Sequence, residues 1–435
     1  MSGERYVLLG LARPRSAWFR QVAQWATSAA LPAEFVKCVS ADEVHARLAS
    51  DRPFSAALLD GGLPAVDRDL LAGVRDAGCV PIVVDDSREA DWIALGAVAV
   101  LPLDLAREQL LDVLATHGVM VGGGEVVRED VRAPLSSAWQ ASLVAVTGTG
   151  GSGTSTAAMA LAQGLADEGS GGPVLLADLC RRAEQAMLHD AREVFPGLQE
   201  AVEAHRGARV DPAEVLRATF HVPERGYHLL LGLRRPRYWS SLRPRAFEAA
   251  FTSLRAAFGV LVCDVDDDLE GEDDGGSLDV EERNLLTRTP VRSADVVVAV
   301  GSAGLKGLYS LAGLLGDLVA FGVEADRIVP VLNLAPRQAR QRAALAATLA
   351  QLTASRDGAQ RLPSPVFLPR RRVEESLRDG VTLPAPLPTL LAGAYRATLR
   401  RTTSSPLEAP APEFARVAPG SLGTWSDDTE ESQRP

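Results

Sequence analysis

The chain is almost without lysine. Of its 45 basic residues only Lys37 and Lys306 are lysines, and every other one is arginine. A bias of that kind accounts for arginine wherever a motif calls for lysine, but not for an uncharged residue there. Cysteine is scarce as well: Cys38, Cys79, Cys180 and Cys263 form no CxxC pair, which suggests a reducing cytoplasm. The six histidines (45, 117, 189, 205, 221 and 228) lack ligand spacing and read as structural or exposed. No apolar run approaches the length of a bilayer span. The opening residues, through Ser16, read as a first strand rather than an export signal. The net charge of −11 weighs against a protein that coats DNA. What remains is a chain of 435 residues, 46% hydrophobic and 23% charged, enough for two domains of ordinary size.

The most informative stretch is 142–166. An apolar run, Leu143 to Thr147, breaks into Gly148-Thr149-Gly150-Gly151-Ser152-Gly153-Thr154-Ser155-Thr156, and an Ala/Leu helix pattern follows at once. Strand, glycine loop and helix together let backbone N–H groups and a helix N-terminus cradle phosphates. The glycines permit strained dihedrals and a close ligand approach. A working phosphate loop ends Gly-Lys-Ser/Thr, with the hydroxyl on Mg²⁺. Here the hydroxyl is Ser155, and Thr154 stands where lysine belongs.

Residues 1–118 alternate short apolar strands (6–11, 34–39, 56–60, 80–85 and 97–101) with amphipathic segments such as 41–50 and 66–77, which predicts a parallel sheet covered by helices. Asp60 ends the third strand, where an open α/β sheet carries its site. Residues 119–141 mix glycine, charge and proline as a linker does. A second α/β domain over 142–401 has strands at 174–177, 260–263, 296–300 and 328–332. They end at or near Asp178, Asp264 and Asn333, and Pro363–Pro369 reads as a last short strand. Helical patterns fill 243–258, 336–353, 373–379 and 387–401. From 402 to 435 the chain is Pro, Ser, Thr and acid, with the composition of a disordered tail.

The order of these pieces resembles the MinD/ParA group of P-loop ATPases. Their deviant loop, Lys-Gly-Gly-x-Gly-Lys-Thr-Thr, aligns with Thr149 to Thr156. Their Asp-x-Asp strand end aligns with Asp178-Leu179-Cys180, the Mg²⁺-facing Asp with Asp264, and the base-contacting Asn with Asn333. Pro369 to Ser376 echoes the closing Pro-x-x-x-x-Val region. The resemblance implies ATP and Mg²⁺ as cofactors, a cofactor-binding set of Gly148 to Thr156 with Asn333, metal contacts from Ser155 and Asp264, Asp178 as the catalytic candidate, and a homodimer. The first domain resembles a response-regulator receiver with Asp60 at the phospho-acceptor position. It lacks the acidic pair after the first strand and the lysine before Pro102, and a turn-capping Asp is the plainer reading. A receiver-like module ahead of a MinD-like one looks like the CpaE/TadZ group and the actinobacterial septum-site-determining (Ssd) proteins. That implies protein partners in the division or pilus machinery, and a cytoplasmic protein recruited to septum or pole.

Both family lysines are absent, at Thr149 and Thr154. A charge-assisted hydrogen bond contributes roughly 1.5–3 kcal/mol, so the loop is expected to bind Mg-ATP weakly and to hydrolyse it scarcely. The alternatives are an active partition or pilus ATPase, with Arg181, Arg182 or Lys306 as substitute cation, and a DNA-binding partition protein using Arg234, Arg235, Arg237, Arg243 and Arg245 around Tyr238 and Trp239. The acidic segment 264–282 reads as a solvated loop or a partner contact. The acidic end of the chain argues against direct membrane anchoring, and the 387–401 helix is expected to pack on its own domain.

Overall fold

The computed structural model describes residues 5–13, 15–50, 52–87, 90–121, 140–169, 171–191, 194–208, 210–272, 277–354 and 361–403. Most of the expected linker, nearly all of the tail, and residues 273–276 of the acidic segment lie outside the described residues.

Two sheets organise the chain. The first contains β1 (Tyr6–Leu11), β2 (Ala33–Cys38), β3 (Ala56–Asp60), β4 (Val80–Val84) and β5 (Ala99–Leu101), parallel throughout, in the order β2-β1-β3-β4-β5. The second contains β6 (Ser142–Gly148), β7 (Val174–Asp178), β8 (Phe220–Val222), β9 (Tyr227–Leu230), β10 (Val260–Asp264), β11 (Val296–Ser302), β12 (Ile328–Ala335) and β13 (Val366–Pro369). Its order is β13-β12-β11-β6-β10-β7-β9-β8, parallel except for the antiparallel β8–β9 pair. The molecule is mixed α/β with a large, mostly parallel sheet.

Strands with helices on both faces must be apolar on both sides, which explains the unbroken Leu/Val/Ala runs. In β6, Leu143 and Ala145 join a core with Phe247, Phe251 and Leu254 of the helix Pro244–Ala257. The alternate residues Val144 and Val146 face the other way, onto Leu161 and Leu165 of the helix Thr154–Asp167. The helix Leu387–Thr403 closes that second face: Leu391 and Tyr395 are buried, while Leu390 stays exposed. Its approach is close, because a Cβ on Gly164 would lie 2.4 Å from Pro388 O. No helix among the described residues is long and apolar enough to cross a membrane.

Several strand ends differ by a residue or two from the sequence pattern. Val39, expected in β2, is 88% exposed past its end. Asp85 lies past β4 and accepts from Trp92 Nε1 at 2.7 Å. A strand has no use for a residue with no neighbour to cover it, so the apolar letter alone misleads at an edge.

The two sheets are joined through the helix Arg68–Asp76. Asp69 accepts from the backbone N–H groups of Arg245 (2.8 Å) and Ala246 (3.2 Å), so an acid from one unit caps a helix of the other. Asp67 takes Arg206 through two nitrogens, at 3.0 and 3.1 Å, and Arg68 donates to His205 O. Beside these contacts runs an open cleft of about 1290 Å³, with Arg75, His117 and Thr252 in its walls. Replacing Asp69 with alanine uncaps the helix Pro244–Ala257. We expect a loss of about 1 kcal/mol, read as a lower urea midpoint; an unchanged midpoint means the cap carries no stability.

Candidate functional site

The glycine loop leaves β6 at Gly148 and enters the helix Thr154–Asp167. Gly151 (φ +78°) and Gly153 (φ +86°) hold left-handed conformations that a side chain would strain. Space is tight at two positions as well. A Cβ on Gly148 would lie 2.4 Å from Val300 O, and one on Gly153 would lie 2.3 Å from Asn333 Nδ2. Gly150 and Gly151 instead face open space, with nothing within 4 Å of an added Cβ. The helix has no side-chain cap at its N-terminus, leaving its first N–H groups directed at the loop.

Asn333 reaches the loop from β12, its Nδ2 donating to Ser152 O at 2.9 Å. The register of β12 with β13 shifts between Leu332 and Ala335. A bulge of this kind re-aims a side chain. It is completed by Leu334 at φ +56°, whose N–H donates to Asn333 Oδ1 at 2.8 Å. A non-glycine residue there stores roughly 1 kcal/mol of strain. Leu334→Gly should therefore raise the apparent Tm slightly. A drop would show that the half-exposed leucine contributes more contact than strain.

Thr154, at the missing lysine's place, does not point outward. Its hydroxyl lies 2.8 Å from Ser152 Oγ and braces the loop from inside. Thr149, at the other missing lysine, accepts from Ser152 N through its carbonyl at 3.0 Å. Ser155 and Thr156 occupy the first helical turn.

Strand register brings the two acids together. In the β7–β10 ladder Asp178 stands directly beside Asp264, at the ends of neighbouring parallel strands. Asp178 is 0% and Asp264 1% exposed. Burial, followed by the charge of Asp264, pushes Asp178 well above the ordinary carboxylate range. Burial raises Asp264 to about 6, partly offset by the side chains of Gln185 and Ser155 beside it. The two share Gln185 as a hydrogen-bond donor. Gln185 gives its backbone N–H to Asp178 Oδ2 (2.9 Å) and its Nε2 to Asp264 Oδ2 (2.7 Å) and to Ser155 O (3.2 Å). Gln185 rides a four-residue helix, Gln185–Leu188, pinned behind by His189, whose ring bonds Gln185 O at 2.8 Å and Tyr227 Oη at 2.6 Å. Burial drives His189 down to about 4, so the pin is a neutral imidazole. Among the described residues, Asp264 Oδ1 and Gln185 Oε1 are buried with no hydrogen-bond partner. Buried orphans of this kind are rare, and they mark a place where a polar or cationic group would fit. The glycine cradle, the Ser155 hydroxyl and the Asp264 orphan thus suit a phosphate with its divalent ion.

The candidate replacement cations are differently engaged. Arg181 is held by Asp266 (3.0 Å) and Asp268 (3.6 Å). Arg182 is exposed, at the edge of a depression shared with Arg237 and Trp239. Lys306 is exposed in the first turn of the helix Leu305–Ala320. Within the basic stretch, Arg234 pairs with Glu200 (2.7 Å) and Arg245 with Asp76 (2.7 Å) and Glu248 (3.1 Å). Arg235, Arg237 and Arg243 remain exposed, while Tyr238 and Trp239 lean on the core. The acidic segment is largely tied to its own surroundings: Asp268 accepts from Arg283 and Asn284, and Arg288 from the following helix donates to Leu269 O.

In the first sheet, Asp60 is 1% exposed, accepts from Gly62 N at 3.0 Å, and pairs with Arg13 at 3.3 Å. Arg13 follows β1, where a receiver carries acid. Sequence reasoning missed both Arg13 and Gln185; neither belongs to a motif, and the turns that carry them left no periodic signal.

The sequence matches no protein-family model and no curated protein. The structure is similar to several solved ones. A ParA family ATPase from Chlorobium tepidum is 16% identical, with a TM-score of 0.45 over 59% of this chain and 98% of that one. The cell division ATPase MinD of Pyrococcus furiosus is 17% identical, with a TM-score of 0.43 over 60% and 99%. A plasmid partition protein from Borrelia burgdorferi bound to AMPPNP is 13% identical, with a TM-score of 0.42 over 60% and 100%.

Proposed function

We propose that this chain is a MinD/ParA-like positioning protein of the CpaE/TadZ or Ssd kind, whose P-loop binds Mg-nucleotide weakly and turns it over scarcely. The observation that carries the reading is a glycine loop clamped by Asn333, facing two strand-end aspartates, with a threonine turned inward at the lysine position. Backbone N–H groups of 149–156 would hold phosphates, Asn333 would lie toward the base, and Ser155 with Asp264 would hold Mg²⁺. The metal ion would neutralise phosphate charge. Asp178 and Gln185 would orient what lies beside it. With no lysine on the phosphates, the charge that develops in phosphoryl transfer goes largely uncompensated.

The domain plan supports a scaffold: residues 1–118 as a receiver-like module, 119–141 as linker, 142–401 as the P-loop domain and 402–435 as a tail. A homodimer, recruited to septum or pole by division or pilus proteins, is the form in which such a scaffold would work. Asp60 is read as closed to phosphorylation, since Arg13 already occupies its carboxylate. Acetyl phosphate with Mg²⁺ should leave the intact mass unchanged, and a phosphoryl adduct lost in Asp60→Asn would reverse that reading.

Isothermal titration of the full chain with Mg-ATP, together with a phosphate-release assay, tests the main proposal. Weak saturable binding with negligible release supports it. Tight binding with brisk turnover makes the chain an ordinary ATPase, and no binding at any concentration removes the nucleotide altogether.

A further inference from the structure

The acid pair has a third neighbour that the nucleotide reading leaves unused. Cys180 follows Asp178 by two residues, and ligand atoms of Asp178, Cys180 and Asp264 all lie within 4.8 Å of one another. Among the described residues no arginine or lysine touches either carboxylate. Two buried acids without a counter-charge are costly. As the side chains stand, Asp264 Oδ1 is buried without a hydrogen-bond partner. A cation answers both needs, and the thiol decides which cation. Mg²⁺ asks for six oxygen ligands, whereas a thiolate with two carboxylates suits a borderline ion such as Zn²⁺.

We propose that Asp178, Cys180 and Asp264 form a protein-only site for a transition-metal ion of the Zn²⁺ class, filled without nucleotide. On binding, the Cys180 S–H bond breaks, its proton leaves to solvent and a sulfur–metal bond forms, with no change of oxidation state. Zinc bonds of about 2.0–2.3 Å bring ligand atoms closer than the present spread, and side-chain rotations of about 1 Å suffice to close the set. The orphaned Oδ1 of Asp264 gains its missing partner. Gln185 keeps Asp264 Oδ2 and orients the carboxylate from outside, as an outer-shell group does. Of the four cysteines Cys180 is half-buried, while Cys38, Cys79 and Cys263 are buried. Asp264 is common to this site and to the proposed Mg²⁺ contact; Cys180 belongs to this one alone.

The test is titration of the full, chelator-treated chain with Zn²⁺ alone, and with Co²⁺ as a spectroscopic probe. We expect one ion per chain, a sulfur-to-cobalt charge-transfer band, and loss of that band in Cys180→Ser. Zn²⁺ affinity should fall more than about tenfold in Cys180→Ser and in Asp178→Asn, with thermal melts confirming that both variants fold. Binding that survives Cys180→Ser, absence of the band, or equal displacement of Zn²⁺ by Mg²⁺ overturns the proposal. The titration contains no nucleotide, so a chain that ignores ATP can pass it, and one that binds ATP can fail it.

Discussion

Thr154→Lys binds Mg-ATP about two- to thirtyfold more tightly than the parent chain. The added ammonium supplies one charge-assisted hydrogen bond to phosphate, roughly 1.5–3 kcal/mol, and each 1.4 kcal/mol is about tenfold. Against this stands the loss of the Thr154–Ser152 hydroxyl contact at 2.8 Å, which braces the loop. That contact is a neutral hydrogen bond of about 1 kcal/mol, which leaves a net gain of about 0.5–2 kcal/mol, or about two- to thirtyfold. Phosphate release should rise from near background, because the lysine also meets charge that develops during transfer. Isothermal titration of both proteins reads the first effect. Equal affinities would mean that the loop no longer presents its backbone to a triphosphate, and that its likeness to a phosphate cradle is one of shape alone.

The second large effect is a gain of stability. Asp264 is held near 6 in the fold against an ordinary value of 3.8. A carboxylate raised in this way favours the fold while protonated; that contribution is complete below about pH 4 and lost as pH rises through 6. Above pH 6 the native chain carries the full penalty, on the order of 2–3 kcal/mol. Asp264→Asn removes the charge and keeps an acceptor for Gln185. In chelator, its apparent Tm should exceed the parent's by several degrees at pH 7.5 and match it near pH 4. A variant less stable at pH 7.5 would show that Asp264 is structural rather than held for a ligand. Adding Zn²⁺ should narrow the gap, since only the parent gains from the ion.

Much of this was legible in the residues. The strands of the large sheet are apolar Val/Leu/Ala runs punctuated by Asp178, Asp264 and Asn333, and burial on both faces leaves little else such runs can become. The loop announced itself by its run of glycines, and the structure gives a steric reason at Gly148 and a backbone reason at Gly151 and Gly153. Other parts left no trace. β8 and β9 are three and four residues long and threaded with histidine; β9 depends on pairing with β7, and β8 on pairing with β9. The helix Leu198–Gly207 carries only a few apolar positions, too few to stand out. Gln185 sits on a single turn, and its importance comes from the β7–β10 register, which no local pattern encodes. The joint between the sheets is made of Asp67, Asp69, Arg206 and Arg245, which in sequence look like any solvated charges.

That joint has a mechanical consequence. The helix capped by Asp69 runs from Pro244 to Ala257, and only Phe258 and Gly259 separate it from β10, whose last residue is Asp264. A force that tugs the first sheet aside therefore pulls on a rod whose far end leads into the strand that carries Asp264. Asp69→Ala should slacken that linkage and shift the pH at which the Asp264-dependent stability is lost. An unmoved midpoint would mean that the rod transmits nothing.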